Sequence, residues 1–176
     1  MPSPAPALTL ADVDALAARA HAGQFDKIGV PYVNHVRAVS AGLAPFGVGL
    51  QMAGLLHDTL EDTTLTPELL RAAGVPFSVV TLVRKVTNRE GVAYEDMLDG
   101  IRADYSATLL KVSDNAHNSL PDRAAQLLPE QRLRLAEKYR HARSVLWPSV
   151  PHEDVRAILR IVNPSLLTEL TAAMSR

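Results

Sequence analysis

Behind an apolar run, the chain places four ionisable side chains in six positions: His57, Asp58, Glu61 and Asp62. On a helix, at about 100° per residue, His57 and Glu61 stack one turn apart, Asp58 and Asp62 do the same, and all four share an arc of about 140°. Burying part of such a face is costly unless its charges are neutralised, so it either lies open to water or carries a cation. An adjacent His and Asp offer one nitrogen and one oxygen ligand, a mixed set that suits divalent first-row metals. By itself the stretch also fits a solvated helix face. His35 lies 22 positions before His57 and Asp114 lies 56 after Asp58, each on a different expected helix. Ligands spread over facing helices of a bundle can converge on one point.

Several elements must carry these residues. Three prolines in the first eight residues predict a disordered lead over 1–8, followed by one domain over 9–176. Thr9 caps an expected helix over 9–22 that Gly23 ends, and residues 24–31, with a glycine and a proline, form a loop leading to His35. Helical spacing resumes over 32–44, then in an apolar stretch over 48–56 that feeds into His57 and Asp58. Thr66 and Pro67 open a short helix to about Gly74. Residues 76–86 read as helix, although the run Val79-Val80-Thr81-Leu82-Val83 has strand character in isolation. A polar loop at 87–91 precedes helices over 94–101 and 106–119. On the second of these, Lys111, Asp114 and Asn118 share a face. After a loop around Pro121, an Arg- and Lys-rich helix spans 130–147, and Pro164 starts a last one to about Ala173. The sum is an all-α bundle of about eight to ten helices.

Bulk composition narrows the function. The 176 residues, 47% apolar and 21% charged, suit one globular domain, and a formal net charge of −1 gives no basic field for nucleic acid or anionic membrane. With no cysteine, thiolate zinc sites, disulfides and thiol nucleophiles are excluded, leaving His, Asp and Glu as metal ligands. The N-terminus has no signal-peptide pattern and no stretch is long and apolar enough to span a membrane, so the expected location is the cytoplasm. The Arg-rich helix alternates with Glu137 and leucines, which points to a solvated face rather than an RNA-binding one. His117, His141 and His152 read as surface histidines, and His21 as packing behind the loop. The oligomeric state is not readable from the sequence, which leaves a homodimer open.

Three boxes carry a family resemblance: Tyr32-Val33-Asn34-His35, then Leu55-Leu56-His57-Asp58-Thr59-Leu60-Glu61-Asp62-Thr63, and Leu110-Lys111-Val112-Ser113-Asp114-Asn115. Over residues 21–147 the sequence resembles the HD superfamily of metal-dependent phosphohydrolases, in particular the small stand-alone hydrolases of the RelA/SpoT family of alarmone enzymes. The resemblance implies a compact HD-type bundle in which His35, His57, Asp58 and Asp114 bind one divalent metal, usually Mn2+, while Glu61 and Asp62 handle the attacking water. It implies removal of the 3′-pyrophosphate from ppGpp or pppGpp, giving GDP or GTP and pyrophosphate, by a hydrolase acting alone. Lys27, Tyr32, Arg89, Lys111 and Asn118 are candidate contacts to this small phosphorylated nucleotide, with Tyr139 and Arg123 as secondary ones. Two His nitrogens and two carboxylates bring a charge of about −2 to a +2 ion, leaving positions for water and a phosphate oxygen.

There is one departure. Where that family typically reads Gln-x-Arg-Lys before the first histidine, this chain reads Gln24-Phe25-Asp26-Lys27, an anion in place of a cation that can stack on a purine. Phe25 offers a stacking surface instead. Two other readings therefore stand beside the first: a phosphohydrolase of another small nucleotide or NADPH, and a catalytically silent HD domain that senses a nucleotide or binds a partner.

Overall fold

The computed structural model describes residues 8–175. The expected lead therefore falls almost wholly outside the described residues; Leu8 is partly buried and packs against the core. Among the described residues the chain forms twelve α-helices: α1 (Leu10–Ala20), α2 (Val33–Gly42), α3 (Val48–Leu56), α4 (Thr59–Asp62), α5 (Pro67–Ala72), α6 (Phe77–Val86), α7 (Tyr94–Arg102), α8 (Tyr105–Asn118), α9 (Pro121–Ala125), α10 (Pro129–Leu146), α11 (His152–Val162) and α12 (Leu167–Met174). Short 3-10 turns follow at Ala44–Phe46, Trp147–Ser149 and Pro164–Leu166. No strand occurs among the described residues; one isolated bridge, Phe25 to Pro31, closes the loop after α1.

Local chemistry accounts for most of the boundaries. Thr9 and Asp12 form a reciprocal capping box on α1, Thr66 accepts from the Leu69 N–H ahead of Pro67 on α5, and Asp104 accepts from the Ala107 N–H on α8. The Val79–Val83 run is helical because Val79, Val80, Val83 and Val86 line one buried face of α6 against α3 and α8, where packing overrides β-propensity.

Three elements depart from expectation. Residues 57–58 break what a continuous helix would place on one arc: α3 ends at Leu56 and α4 starts at Thr59. His57 Nδ1 donates back to the Gly54 carbonyl at 2.8 Å and Thr59 Oγ1 to the Leu56 carbonyl at 2.7 Å, so side chains compete with the backbone for these acceptors. Residues 121–125, expected as loop, form α9 behind Pro121. Residues 152–162, for which no element was expected, form the strongly amphipathic α11. Its Val155, Ile158, Leu159 and Val162 are buried against α2 and α8, so the core extends beyond the region of family resemblance.

α8 is the central element, packed by α2, α3, α6, α7, α10 and α11. Two glycines allow its neighbours to close in. A Cβ on Gly42 would meet Ser113 Oγ and the Val162 side chain, and one on Gly54 would lie 2.8 Å from Ser40 Cα and 3.0 Å from Ser40 N. Ser40 backbone cannot yield as a flexible side chain does. Gly54→Ala is therefore expected to destabilise the fold by about 1–3 kcal/mol, whereas Gly49→Ala on the same helix, which meets nothing within 4 Å, is expected to be neutral or stabilising by up to about 1 kcal/mol. Urea unfolding of the two variants checks the contrast.

Candidate metal centre and substrate cavity

The junction between α3 and α4, the start of α2 and the body of α8 bring the predicted ligands together. His35, His57 and Asp58 each offer a ligand atom within 4.8 Å of the others. Asp58 Oδ2 lies 2.9 Å from His57 Nε2 and 3.5 Å from His35 Nε2. Asp114 falls outside this mutually close set, yet its Oδ1 is 3.3 Å from His35 Nε2 and 3.7 Å from His57 Nε2. Both histidines are buried.

Hydrogen bonding orients each donor. A carbonyl only accepts, so the bond to Gly54 puts a proton on Nδ1 and turns Nε2 into the cluster. That Nε2 is buried and has no hydrogen bond of good geometry, even with Asp58 nearby, which leaves it as a potential ligand atom facing the carboxylates. Tyr32 donates its hydroxyl to Asp58 Oδ2 at 2.7 Å. Lys111 pairs with Asp114 Oδ2 at 2.8 Å, and Asn118 Nδ2 donates to Asp114 Oδ1 at 2.6 Å. Three residues expected to touch substrate are thus bonded to the two carboxylates, although each also lines the cavity described below.

Electrostatics follow the same lines. Burial works against charge on His57, but the Asp58 charge, reinforced by Asp114, pushes its ring up to about 10. His35 is likewise raised, its burial outweighed by Asp114 and Asp58. The two carboxylates thus favour positive charge at the centre of the cluster. Burial opposes ionisation of Asp114 and Asp58; Lys111 and the imidazoles nonetheless hold Asp114 well below the usual carboxylate range, and His57 and His35 do the same for Asp58. Asp62 moves the other way, pushed up by burial and by the Asp58 charge. Two nitrogens and two carboxylate oxygens, with one buried lone pair unpartnered, fit a divalent ion of the manganese, iron or zinc type.

Beside the cluster lies a cavity of about 630 Å³, within the usual size range of small-molecule sites. Glu61 and Asp62 line it. Glu61 Oε1 accepts from the Asn88 N–H at 2.6 Å and Oε2 from Asn88 Nδ2 at 3.1 Å. Lys27 and Phe25 also line it, whereas Arg89 does not. Arg89 borders a separate depression with Arg84 and Lys85, and Asn88 is the residue its loop contributes to the main cavity. The secondary candidates Tyr139 and Arg123 are both in the wall.

Sequence reasoning missed four features. Lys138, on the helix expected to be a solvated face, lines the cavity and sits 4.7 Å over the Tyr94 ring. Its ammonium is lowered by burial and by Lys111 and Lys27, the sign of a cationic wall opposite the carboxylates. Arg143 on that same helix is buried, bound through two nitrogens to Glu169 at 2.9 Å each. Asp26 is also in the cavity wall, but its charge is paired. Its carboxylate accepts from the Ile28 and Val30 N–H groups at 3.0 and 2.9 Å and from the Arg123 guanidinium, and its side chain is 4% exposed. His117, expected on the surface, is buried with its Nδ1 2.8 Å from His35 Nδ1. Its position three residues after Asp114 on one helix was the available signal. Burial, with the His35 and Arg123 charges, pulls its ring down to about 4.

No protein-family model matches the chain. Over 135 residues, 70% of the chain, it is 32% identical to the guanosine-3′,5′-bis(diphosphate) 3′-pyrophosphohydrolase of Haemophilus influenzae. Over 133 residues, 68% of the chain, it is 31% identical to the bifunctional (p)ppGpp synthase/hydrolase SpoT of Escherichia coli. Over that region the chain is homologous to RelA/SpoT enzymes. The match spans 20% and 18% of the length of those two relatives, so the chain corresponds to a fraction of each. A solved structure of a metazoan SpoT ortholog, described as hydrolysing ppGpp, superposes with a TM-score of 0.68 at 24% identity, covering 90% of this chain and 97% of that one. The superposition establishes the all-α fold. Homology to these hydrolases implies a divalent metal, and a cluster of His35, His57 and Asp58 is present. Among the described residues no helix is long and apolar enough to cross a membrane.

Proposed function

We propose that the chain is a Mn2+-dependent hydrolase that removes the 3′-pyrophosphate from (p)ppGpp, and that it works in the cytoplasm. The observation that carries this reading is the buried, unpartnered His57 Nε2 facing Asp58, His35 and Asp114 in a RelA/SpoT homologue. In this reaction the bond between the ribose 3′-oxygen and phosphorus breaks, water oxygen joins phosphorus, and the 3′-oxygen leaves with a proton.

His35, His57, Asp58 and Asp114 would hold the ion, which when bound supplies Lewis-acid polarisation and a more acidic water. Tyr32 holds Asp58, and Lys111 and Asn118 hold Asp114, so both carboxylates are fixed before substrate arrives. Asp62, its carboxyl raised above the usual range, and Glu61 are the groups placed to take a proton from water and return one to the leaving oxygen. Lys27, Lys138 and Arg123 balance the phosphate charges, and Phe25 and Tyr139 offer faces for the base.

Asp26 lines the cavity, but its carboxylate is satisfied within its own loop and by Arg123, so it sets no unpaired anion against the nucleotide. Arg123 brings a planar cation to that wall from α9 instead. Arg123→Ala is expected to raise the KM for ppGpp about 10- to 100-fold, the worth of a charge-assisted contact, with kcat and Mn2+ affinity little changed; steady-state kinetics checks this split.

The deciding experiment incubates purified protein and ppGpp with Mn2+, and separately with chelator, and identifies products by chromatography beside NADPH and common nucleotides. GDP and pyrophosphate appearing only with metal bears the reading out. Metal-dependent turnover of another nucleotide alone moves the substrate. Bound metal with no turnover across the whole set makes the chain a silent sensing or partner-binding domain.

A further inference from the structure

We propose that His117 is a positioning residue that sets the tautomer of His35, so that the His35 Nε2 lone pair faces the metal centre; this rests on the reading of His35 as a ligand. The two Nδ1 atoms lie 2.8 Å apart, the rings are 4.9 Å between centroids, and the side chains come from positions 82 apart in sequence. At that separation the nitrogens share one proton: two bare lone pairs would repel, and two N–H groups would clash.

Where that proton resides decides what His35 can do. Carried by His35 Nδ1 and accepted by His117, it leaves His35 Nε2 bare, 3.3 Å from Asp114 Oδ1 and 3.5 Å from Asp58 Oδ2. Carried by His117, it forces the neutral His35 to protonate Nε2, at the position the cation must take. His57 has its own acceptor in the Gly54 carbonyl, which no side-chain substitution removes. His35 has no such backbone acceptor: among the described residues, the hydrogen-bond partner of its Nδ1 is His117. The same tautomer is thus enforced twice, once by backbone and once by a replaceable side chain.

Two variants separate positioning from packing. His117→Asn can place its amide oxygen near the former Nδ1 and still accept, whereas His117→Leu keeps bulk and cannot. Mn2+ affinity of the purified proteins is measured by calorimetry, with thermal melts in chelator as the structural control. His117→Leu is expected to bind Mn2+ about 10- to 100-fold more weakly, and His117→Asn close to the parent protein. In addition, 15N-edited histidine spectra of the unsubstituted protein loaded with diamagnetic Zn2+ are expected to show the His35 proton on Nδ1, which needs no variant to fold. Equal affinity for His117→Leu and the parent, equal loss in both variants, or a His35 proton on Nε2 overturns the proposal. If the parent itself binds no Mn2+, and Asp58→Ala behaves identically, the metal centre fails and the His117 role with it.

Discussion

Asp58→Ala is expected to abolish Mn2+ binding and turnover together. One oxygen, Asp58 Oδ2, faces His57 Nε2 at 2.9 Å and His35 Nε2 at 3.5 Å while accepting the Tyr32 hydroxyl at 2.7 Å. Its removal takes away a donor atom and about half of the negative charge offered to the ion, and leaves the Tyr32 hydroxyl, half-buried, without its partner. Loss of a residue that merely orients a ligand costs about 10- to 100-fold in metal affinity, so loss of the ligand itself is expected to exceed 100-fold. Calorimetry with Mn2+ and product release from ppGpp should fail in parallel. If Asp58→Ala binds the ion as the parent does, the cluster is not the metal centre, whatever happens to the rate.

Glu61→Gln is expected to separate the two properties, keeping the ion and losing about 10²- to 10⁴-fold in kcat. Glu61 touches none of the four proposed ligands; its oxygens are held by Asn88 at 2.6 and 3.1 Å. A glutamine can keep the acceptor toward the Asn88 N–H, and the Asn88 side-chain amide can turn to accommodate the new donor. The substitution therefore removes charge and basicity with little change of shape. Rapid-quench measurement of the chemical step, beside Mn2+ calorimetry, reads both quantities. Should Glu61→Gln turn over normally, Glu61 serves to clamp the Asn88 loop, and proton transfer falls to Asp62. Asp62→Asn would then show the rate loss alone.

The helices that seat these residues were legible because their determinants are local. Thr9, Thr66 and Pro67 mark the starts of α1 and α5 through side chains that meet backbone a turn away, and apolar spacing over 48–56 and 77–86 places α3 and α6. α11 went unread although its apolar positions recur at helical spacing, because the prolines at 148, 151 and 164 frame it as an interruption. The break at 57–58 was hidden for a different reason. It depends on which carbonyls the His57 and Thr59 side chains capture, and that follows from burial rather than from residue order.

Alone, the sequence determined the residue types, their helical registers and the His, His-Asp, Asp order, and with these the all-α class and the resemblance to alarmone hydrolases. Each is a property of neighbours in the chain or of spacing along it. Only the tertiary structure decided who bonds whom: Tyr32 with Asp58 across 26 positions, His35 with His117 across 82, and Asp26 with Arg123 across 97. It also turned Lys138 from a presumed surface charge into part of the cavity wall. Such pairings are set by how whole helices pack, where a shift of one residue carries a side chain about 100° around its helix axis, so composition and periodicity constrain them weakly.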